Sequence, residues 1–585
     1  MDVTGLVAGG SFLLTTTAPD EVFAPEDFSE EHRLAARSLA DFLDAEVEPR
    51  TAELETHNFP MVRQLLRKLG ALGFLGVDIP EAYGGTALDL ITSLLVAETM
   101  KRGSFGGSFA ASFGTHTGIG TLPIVYFGTD DQKRRYLPGM ASGELIGAYA
   151  LTEPTAGSDA LAARTRATLT EDGREYRLTG TKLFITNAGF ADVFTTYAKV
   201  EGERFTGFIV DRGTEGLEVG PEEHKMGIKG SSTASLFFDN ARVPAGNVLG
   251  EVGAGHRVAL NILNVGRLKL GTACVGGAKH AVRLAVAYAK ERQQFGRRIA
   301  SFGLVQEKLA EMAVRIYLLE SMVYRTGGLI QAARQAADSP IKAVEEYAVE
   351  CAIDKVYGSE ASGFVMDELV QIFGGYGFIE DYPAARAYRD ARISRLFEGT
   401  NEINRLLIAG MLLRRARRGR LPLLAALRSA AEETPSAGAA SPGNGPLAEQ
   451  QRLVELAKKA CLFVAGIAVQ KYGEALQEEQ EILARIADLV IEIFAMESGL
   501  LRAQRALDRG RPAEAKVDLV RVGVTGGLFR MEGWCRQVLA ATEEGEGLRT
   551  RLAAVRCLLS DVQPDGIRLR RRIAERLLDA GAYLA

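Results

Sequence analysis

Cysteine is scarce and scattered: Cys274, Cys351, Cys461, Cys535 and Cys557 are the only five in 585 residues. They form no CxxC pair and stand at no ligand spacing from a histidine. The pattern fits reduced thiols in a cytosolic protein and argues against a disulfide framework or structural zinc. Histidine is almost as rare, six in all, and none has an evident metal partner, so each is expected on the surface or in the core. No run of about 18 apolar residues occurs, which excludes an ordinary membrane span. No excess of positive charge exists either: 69 Lys and Arg stand against 74 Asp and Glu, a net charge of -5. That balance argues against nucleic acid as the main partner, because phosphate contacts need a basic face. No Lys or Arg precedes Arg33, so the early apolar patch GLVAGGSFLL is not expected to be a secretory or mitochondrial presequence. The common catalytic signatures are absent too: no HExxH, no GxSxG, no P-loop and no strand followed by GxGxxG.

What is present is ample core material, 47% hydrophobic against 24% charged, in a chain long enough for two to four domains. After an arm over 1–27, residues 28–146 show mostly helical spacing, as in EEHRLAARSLADFLDAEVEPRTAELE, and are expected to form a helical domain. Over 147–255 the texture changes to short β-rich runs, YRLTGTKLFIT, VFTTYAKV, FTGFIVD and ASLFFDNARV, with a turn signal at Asp172-Gly173. These predict an inserted β domain. Long helical patterns return over 256–413, where a four-helix bundle is expected. A basic, then Pro/Gly/Ser-rich linker follows over 414–446, and 447–585 is again helix-rich, expected as a separate bundle. The fold class is therefore mostly α with an inserted β domain.

Two runs inside the β region stand out, AYALTEPTAGSDA and GTKLFITNAGFAD. Small residues and hydroxyls in a loop bring backbone N–H groups against a phosphate or a heterocycle edge; a plain turn between strands is the alternative. A third run, RLFEGTNEINRLL at 395–407, places Glu398 between an apolar pair and a glycine.

Together these stretches resemble the acyl-CoA dehydrogenase flavoproteins. The motifs are YALTEPTAGSD (149–159), TGTKLFITNAG (179–189), KMGIKGSSTASLFFDNARVP (225–244), ERQQFGRRIASFGLVQEKLA (291–310), QIFGGYGFIEDYP (371–383) and RLFEGTNEI (395–403), in the family's order. The resemblance implies the family's fold, a helical domain, a β domain and a four-helix bundle, with a C-terminal helical domain beyond it here. It also implies FAD between β domain and bundle, partly held by a neighbouring subunit.

By the same resemblance Glu398 is the catalytic base. It removes the α-proton of a fatty acyl-CoA thioester while the β-hydrogen leaves as hydride to flavin N5, giving the trans-2-enoyl-CoA. A thioester α-proton is a very weak acid, so the base needs an apolar setting that raises its pKa, and the enolate-like oxygen needs donors. A helix-N-terminal carboxylate facing the dipole is the alternative reading of Glu398. Relatives that carry the base elsewhere place it before an arginine. Here that position is Gly266, before Arg267, which leaves Glu398 as base and Arg267 and Gly399 in support. Flavin-ring contacts implied are Tyr149, Leu151 and Thr152 from the first motif, and Phe184, in place of the usual tryptophan, and Thr186 from the second, with Gly157 and Ser158 near the pyrophosphate or the CoA edge. Arg292, Gln294, Phe295, Gln371 and Gly375 are implied from the partner subunit, and Thr400 and Glu402 after the base. Gly303 stands where many members have a glutamine, so that cofactor contact is expected to be missing.

The wording of the motifs and the tail look most like the very-long-chain branch, which implies a long acyl chain, β-oxidation, a homodimer and electron-transferring flavoprotein as acceptor. Small residues in GGSFAASFGTH, among them Ser108, Ala111 and Ser112, leave room for a long acyl tail or, alternatively, serve close helix packing. Residues 412–433 set five arginines beside a leucine stripe interrupted by Pro422. The stretch reads either as a peripheral contact with the inner face of the membrane or as a solvated basic linker of a cytoplasmic protein. An acyl-CoA oxidase and an assembly scaffold of the same branch are the rival functions.

Overall fold

A computed structural model of the chain describes residues 7–103, 106–336, 339–433, 444–559 and 565–584. Residues 434–443 of the expected linker and 1–6 of the expected arm lie outside them.

The principal helices before the sheet are α1 (Glu30–Phe42), α2 (Phe59–Ala71), α3 (Leu90–Thr99), α4 (Gly106–Gly114) and α5 (Asp130–Ser142). Their starts are set locally. Ser29 and Thr129 open α1 and α5 as capping boxes, each side-chain oxygen accepting the N–H three residues on at 3.2 and 3.3 Å. Helix α3, rich in Leu, Ile, Val and Ala, is buried along almost its whole length.

The β region is one eight-stranded sheet: β1 (Gly147–Ala150), β2 (Arg166–Leu169), β3 (Glu175–Thr186), β4 (Val193–Val200), β5 (Arg204–Asp211), β6 (Leu217–Glu222), β7 (Thr233–Pro244) and β8 (Val248–Leu249). The strand order is β6-β7-β3-β2-β4-β5-β8, and β1 pairs parallel with β4. The Asp172-Gly173 signal is the β2–β3 turn: Gly173 takes φ 68° and the Thr170 hydroxyl donates to Asp172 at 2.6 Å.

Four long helices follow, α6 (Gly255–Glu291), α7 (Gly303–Ala336), α8 (Ala348–Phe373) and, after the short α9 (Pro383–Arg392), α10 (Asn401–Arg417). Between α6 and α7 a two-stranded hairpin, β9 (Gln293–Gln294) and β10 (Arg297–Arg298), projects from the bundle. The axes of α6 and α8 come close because glycines face each other: a Cβ on Gly358 would lie 3.0 Å from the Gly271 Cα.

Beyond the bundle lie α11 (Leu423–Glu432), α12 (Ala448–Tyr472), α13 (Gln480–Asp508), α14 (Glu514–Thr542), α15 (Gly545–Leu559) and α16 (Gly566–Ala580). One apolar core runs from the bundle into these helices, joining Leu318 and Met322 to Phe494 and Met496. The Tyr317 hydroxyl donates to the Gly499 carbonyl across the junction at 2.9 Å. Leu421, Leu423 and Leu427 are buried in that core, so the apolar half of the 412–433 pattern faces the protein itself. The arm crosses bundle and tail. Gly9 and Gly10 donate to Glu346 and Glu350 at 2.9 and 2.6 Å, Lys458 donates to the Thr15 carbonyl at 3.1 Å, and Glu26 pairs with Arg502 at 2.8 Å.

Candidate active site

Glu398 sits in the tight connection between α9 and α10, where it and Gly399 take left-handed conformations, φ 58° and 80°. For a glutamate that backbone is strained by about 1 kcal/mol or more, and the surrounding groups hold it. Arg267 donates to the Glu398 carbonyl at 3.1 Å. Lys355 donates to the Gly399 carbonyl at 2.7 Å, and the Asn404 amide reaches the carbonyls of Glu398, Gly399 and Thr400 at 3.3, 2.8 and 3.0 Å. Thr400 caps α10 by accepting the Ile403 N–H. All of these hydrogen bonds fall on the backbone. The carboxylate is left without them: its Oε2 is buried and has no hydrogen-bond partner among the described residues.

That carboxylate lies against Gly266. A Cβ built there would stand 2.7 Å from Oε2 and 3.1 Å from Oε1, so only glycine at 266 leaves room for the side chain in this position. Burial pushes the Glu398 pKa up to about 7, against the opposing charges of Arg267 and Lys355. Burial likewise lowers Lys355 to about 8. The result is a dry carboxyl poised to exchange a proton near neutral pH, which is what a general base requires.

Tyr149 and Leu151 are buried on β1 and just after it, with Thr152 half-buried. The Tyr149 hydroxyl is within electrostatic reach of Glu398 and Arg267, so the first motif and the base share one site. The second motif is tied to the first: Leu183 N–H donates to the Thr152 carbonyl at 2.8 Å. Next to this junction Phe184 takes φ 59° and leaves its ring 59% exposed, at a break in the β3–β7 register. An aromatic held in a left-handed conformation and open to solvent fits a surface made to receive a flat ring, and the partnerless Glu398 Oε2 fits a reacting carbon; the residues present thus suit a flavin. Thr186 is paired with Thr233 in the sheet. Gly157 and Ser158 are exposed in the loop, and Glu402 is exposed in the first turn of α10.

The remaining cofactor candidates form a second cluster. Arg292 lies over the Tyr376 ring at 5.5 Å, and Tyr288 stacks on Phe373 at 4.2 Å, which brings the hairpin and the Gln371–Gly375 segment onto one exposed face. Phe295, at the hairpin tip with φ 53°, is 92% exposed. Among the described residues no contact joins this face to Glu398 within one chain. In the small-residue run, Ser108 is buried and its hydroxyl accepts the Gly230 N–H at 3.1 Å. Gly107 serves close packing, since a Cβ there would meet Ile228 at 2.5 Å. Ala111 is half-buried, and the buried Ser112 hydroxyl has no partner among the described residues. His116 behaves as a core histidine between the Met140 carbonyl and the Gly147 N–H, with a pKa lowered by burial to about 4.

Sequence reasoning missed Lys355, Asn404 and the pair Glu153–Lys182. Lys182 and Glu153 are almost fully buried and meet at 2.7 Å, while Glu153 also accepts the N–H groups of Arg164 and Thr165. Lys182 further donates to the Leu151 carbonyl at 3.3 Å, which fastens the first motif loop to β3. The signal was a lone lysine in each apolar run, AIDKVYG and TKLFIT.

Comparison with known proteins gives the chain its family and fold. The N-terminal, middle and C-terminal domain descriptions of acyl-CoA dehydrogenase match residues 29–144, 148–241 and 253–413, and a second C-terminal description of the same family matches 456–557. A Bacillus subtilis protein described as a probable acyl-CoA dehydrogenase is 47% identical over 98% of both chains. The human very long-chain specific acyl-CoA dehydrogenase, mitochondrial, is 36% identical over 86% of this chain and 79% of its own. A crystal structure of acyl-CoA dehydrogenase complexed with FAD from Bacillus anthracis superposes with a TM-score of 0.96 at 47% identity, over 99% of this chain and 100% of the other. A buried, base-like carboxylate and a full-length likeness to an FAD-bound relative lead to one conclusion: the chain belongs to the acyl-CoA dehydrogenase family, FAD-dependent oxidoreductases.

Proposed function

We propose that this chain dehydrogenates long-chain fatty acyl-CoA thioesters between Cα and Cβ, with Glu398 as the base, as a step of fatty acid β-oxidation. The observation that carries the reading is the Glu398 carboxylate, buried beside Gly266, without a hydrogen-bond partner and raised to about 7. Bound FAD supplies the hydride acceptor. Glu398 takes the α-proton at its carboxylate, and the apolar setting that raises its pKa also makes it a stronger base. Arg267, Lys355 and Asn404 hold the Glu398–Thr400 backbone so that the carboxylate keeps its aim and the Glu398 N–H can serve the thioester oxygen. Phe184, Leu151 and Thr152 bind the flavin ring, and Tyr149 underlies them.

The long-chain preference is supported by the relatives above and by free space beside α4. Gly118, in the turn that follows α4, is buried, yet no atom of the described residues lies within 4 Å of a Cβ built on it. The separate exposed face of Arg292, Phe295, Gln371 and Gly375 supports a homodimer in which each chain completes its partner's FAD site. Electron-transferring flavoprotein is the proposed acceptor, by likeness alone.

The test is an anaerobic titration of the visible flavin band with palmitoyl-CoA, octanoyl-CoA and isovaleryl-CoA, beside Glu398→Gln. Bleaching by palmitoyl-CoA that the variant loses is the expected result. A flavin reduced by none of the three overturns the substrate assignment, and unchanged bleaching in the variant overturns the base.

A further inference from the structure

The turn that carries Glu398 is strained, and the side chains of Arg267, Lys355 and Asn404 hold it. Lys355 is also the first member of a series of contacts that leaves the bundle. Besides the Gly399 carbonyl, its ammonium meets the Asn401 side-chain oxygen at 2.8 Å. The Asn401 amide donates in turn to Glu360 of α8 at 3.0 Å. Both terminal nitrogens of Arg405 grip the Glu360 carboxylate, at 2.8 and 3.0 Å. The remaining nitrogen of that guanidinium, Nε, donates to Asp488 of the tail helix α13 at 2.7 Å.

The two carboxylates on Arg405 are not equivalent. The Glu360 side chain is 39% exposed, so water screens it and leaves it free to choose among rotamers. The Asp488 side chain is 4% exposed, and its second oxygen receives Arg485 at 2.6 Å. A buried carboxylate held by two arginines is fixed, and it decides where the Arg405 fork stands. Arg405 also follows Asn404 directly on the first turns of α10, and the Asn404 amide reaches the carbonyls of residues 398–400. One guanidinium thus sets both the Glu360–Asn401–Lys355 line and the seat of the helix that starts at the base. A glutamate held at φ 58° relaxes when its holds loosen, and a drift on the order of 1 Å in a reacting group can cost about a hundredfold in rate.

We propose that Asp488 is a positioning residue for the reaction: from the tail it fixes Arg405, and through Glu360, Asn401 and Lys355 it keeps the Glu398 turn in its reactive conformation. This rests on the reading above that Glu398 is the base. It gives the tail a part in the chemistry.

The experiment uses the full-length, FAD-loaded protein and follows flavin bleaching by saturating palmitoyl-CoA in a single turnover, with KM, flavin content and melting temperature alongside. Asp488→Asn keeps the shape of the side chain and removes its charge. It is expected to slow bleaching about tenfold, with KM and flavin content unchanged. Arg405→Lys has no fork to span both carboxylates; it should slow bleaching similarly, and adding Asp488→Asn to it should cost little more. In the same variants the Ile403 and Asn404 amides, which donate to Thr400, should exchange hydrogen faster. Ile573→Ala loosens the tail where it packs among Ala313, Leu519 and Leu577, and should lower the melting temperature while leaving bleaching and that exchange unchanged. Full-speed bleaching in Asp488→Asn, or equal slowing by Ile573→Ala, overturns the inference. If Asp488→Asn yields no folded holoenzyme, Arg405→Lys decides: full-speed bleaching there overturns the inference, and slowed bleaching with faster exchange at 403 and 404 supports it. Full-speed bleaching in Glu398→Gln overturns the base reading beneath, and this inference with it.

Discussion

Between pH 4.5 and about 7, folded Glu398 keeps a proton that the unfolded chain has released. Stability therefore falls as pH rises through that window, the opposite of a carboxylate held down by a cation. Glu398→Gln removes the dependence. Calorimetry should show the variant melting above the parent at pH 8 and level with it at pH 5; equal curves at both pH values would place the proton elsewhere. Turnover should fall by about 10²–10⁴ in the same variant with FAD content unchanged. Gly266→Ala tests the aim of the base and not its chemistry. The added methyl would stand 2.7 Å from Oε2, so the carboxylate must turn away. A fall in kcat of about tenfold to a hundredfold, with wild-type flavin content, is the expected kinetic outcome.

At the scale of elements, the Glu153–Lys182 pair fixes a loop to a strand. Lys182→Met would leave a buried carboxylate uncompensated, at a cost of about 3–5 kcal/mol, and chemical denaturation together with flavin loss should report it. This pair shows where reading the sequence stops. The strands were legible because alternation and the Asp172-Gly173 turn are local signals, and α1 and α5 because their capping boxes are. Glu398 was legible because its motif stays contiguous. Lys182 and Lys355 were not, since their partners lie 29 and 44 residues away and only folding brings them together. Helix α11 is a related case: its amphipathic face was visible, but what covers it was not. With Leu421, Leu423 and Leu427 inside and Leu424 half-buried against the same core, the exposed side of the stretch carries Arg414, Arg417, Arg418, Arg420 and Arg428, with Pro422, Ala425 and the acidic Glu432 and Glu433 beside them. Any such contact is then electrostatic, worth about 1 kcal/mol per arginine near an anionic surface. Sedimentation with phosphatidylserine vesicles should find binding at low salt that disappears at 0.5 M salt, where the Debye length has shrunk to about 4 Å; binding that survives the salt would show that apolar residues insert.

Across the whole molecule, one buried charge network joins segments that are far apart in sequence. Arg502 of α13 contacts Glu26 of the arm at 2.8 Å and Glu320 of α7 at 2.6 Å. Glu320 also meets Lys279 of α6, which reaches Glu98 of α3 at 2.7 Å, and the Tyr324 hydroxyl donates to Glu98 at 2.6 Å. Burial pushes Glu320 up, but Lys279 and Arg502 outweigh it and hold its pKa at about 2. Its contribution is thus complete above about 4.5 and disappears as pH falls toward 2. Arg502→Met should lower the melting temperature markedly at pH 7 and much less at pH 3, when the parent has itself begun to lose the network. Truncating the chain before α12 would uncover Glu320, Arg325 and the apolar flank of α7 together, so such a fragment is expected to aggregate and cannot separate an enzymatic from a scaffolding role.

The arm adds a constraint in time. Glu26 must wait for Arg502, which lies 476 residues further along the chain. At a synthesis rate of roughly 5–20 residues per second, that delay is on the order of half a minute to a minute and a half. During it the acidic end of the arm stays hydrated, and the bundle surface it will cover stays open. Glu26 is therefore locked only once α13 has been made, long after the strands and bundle helices that lie between the two partners.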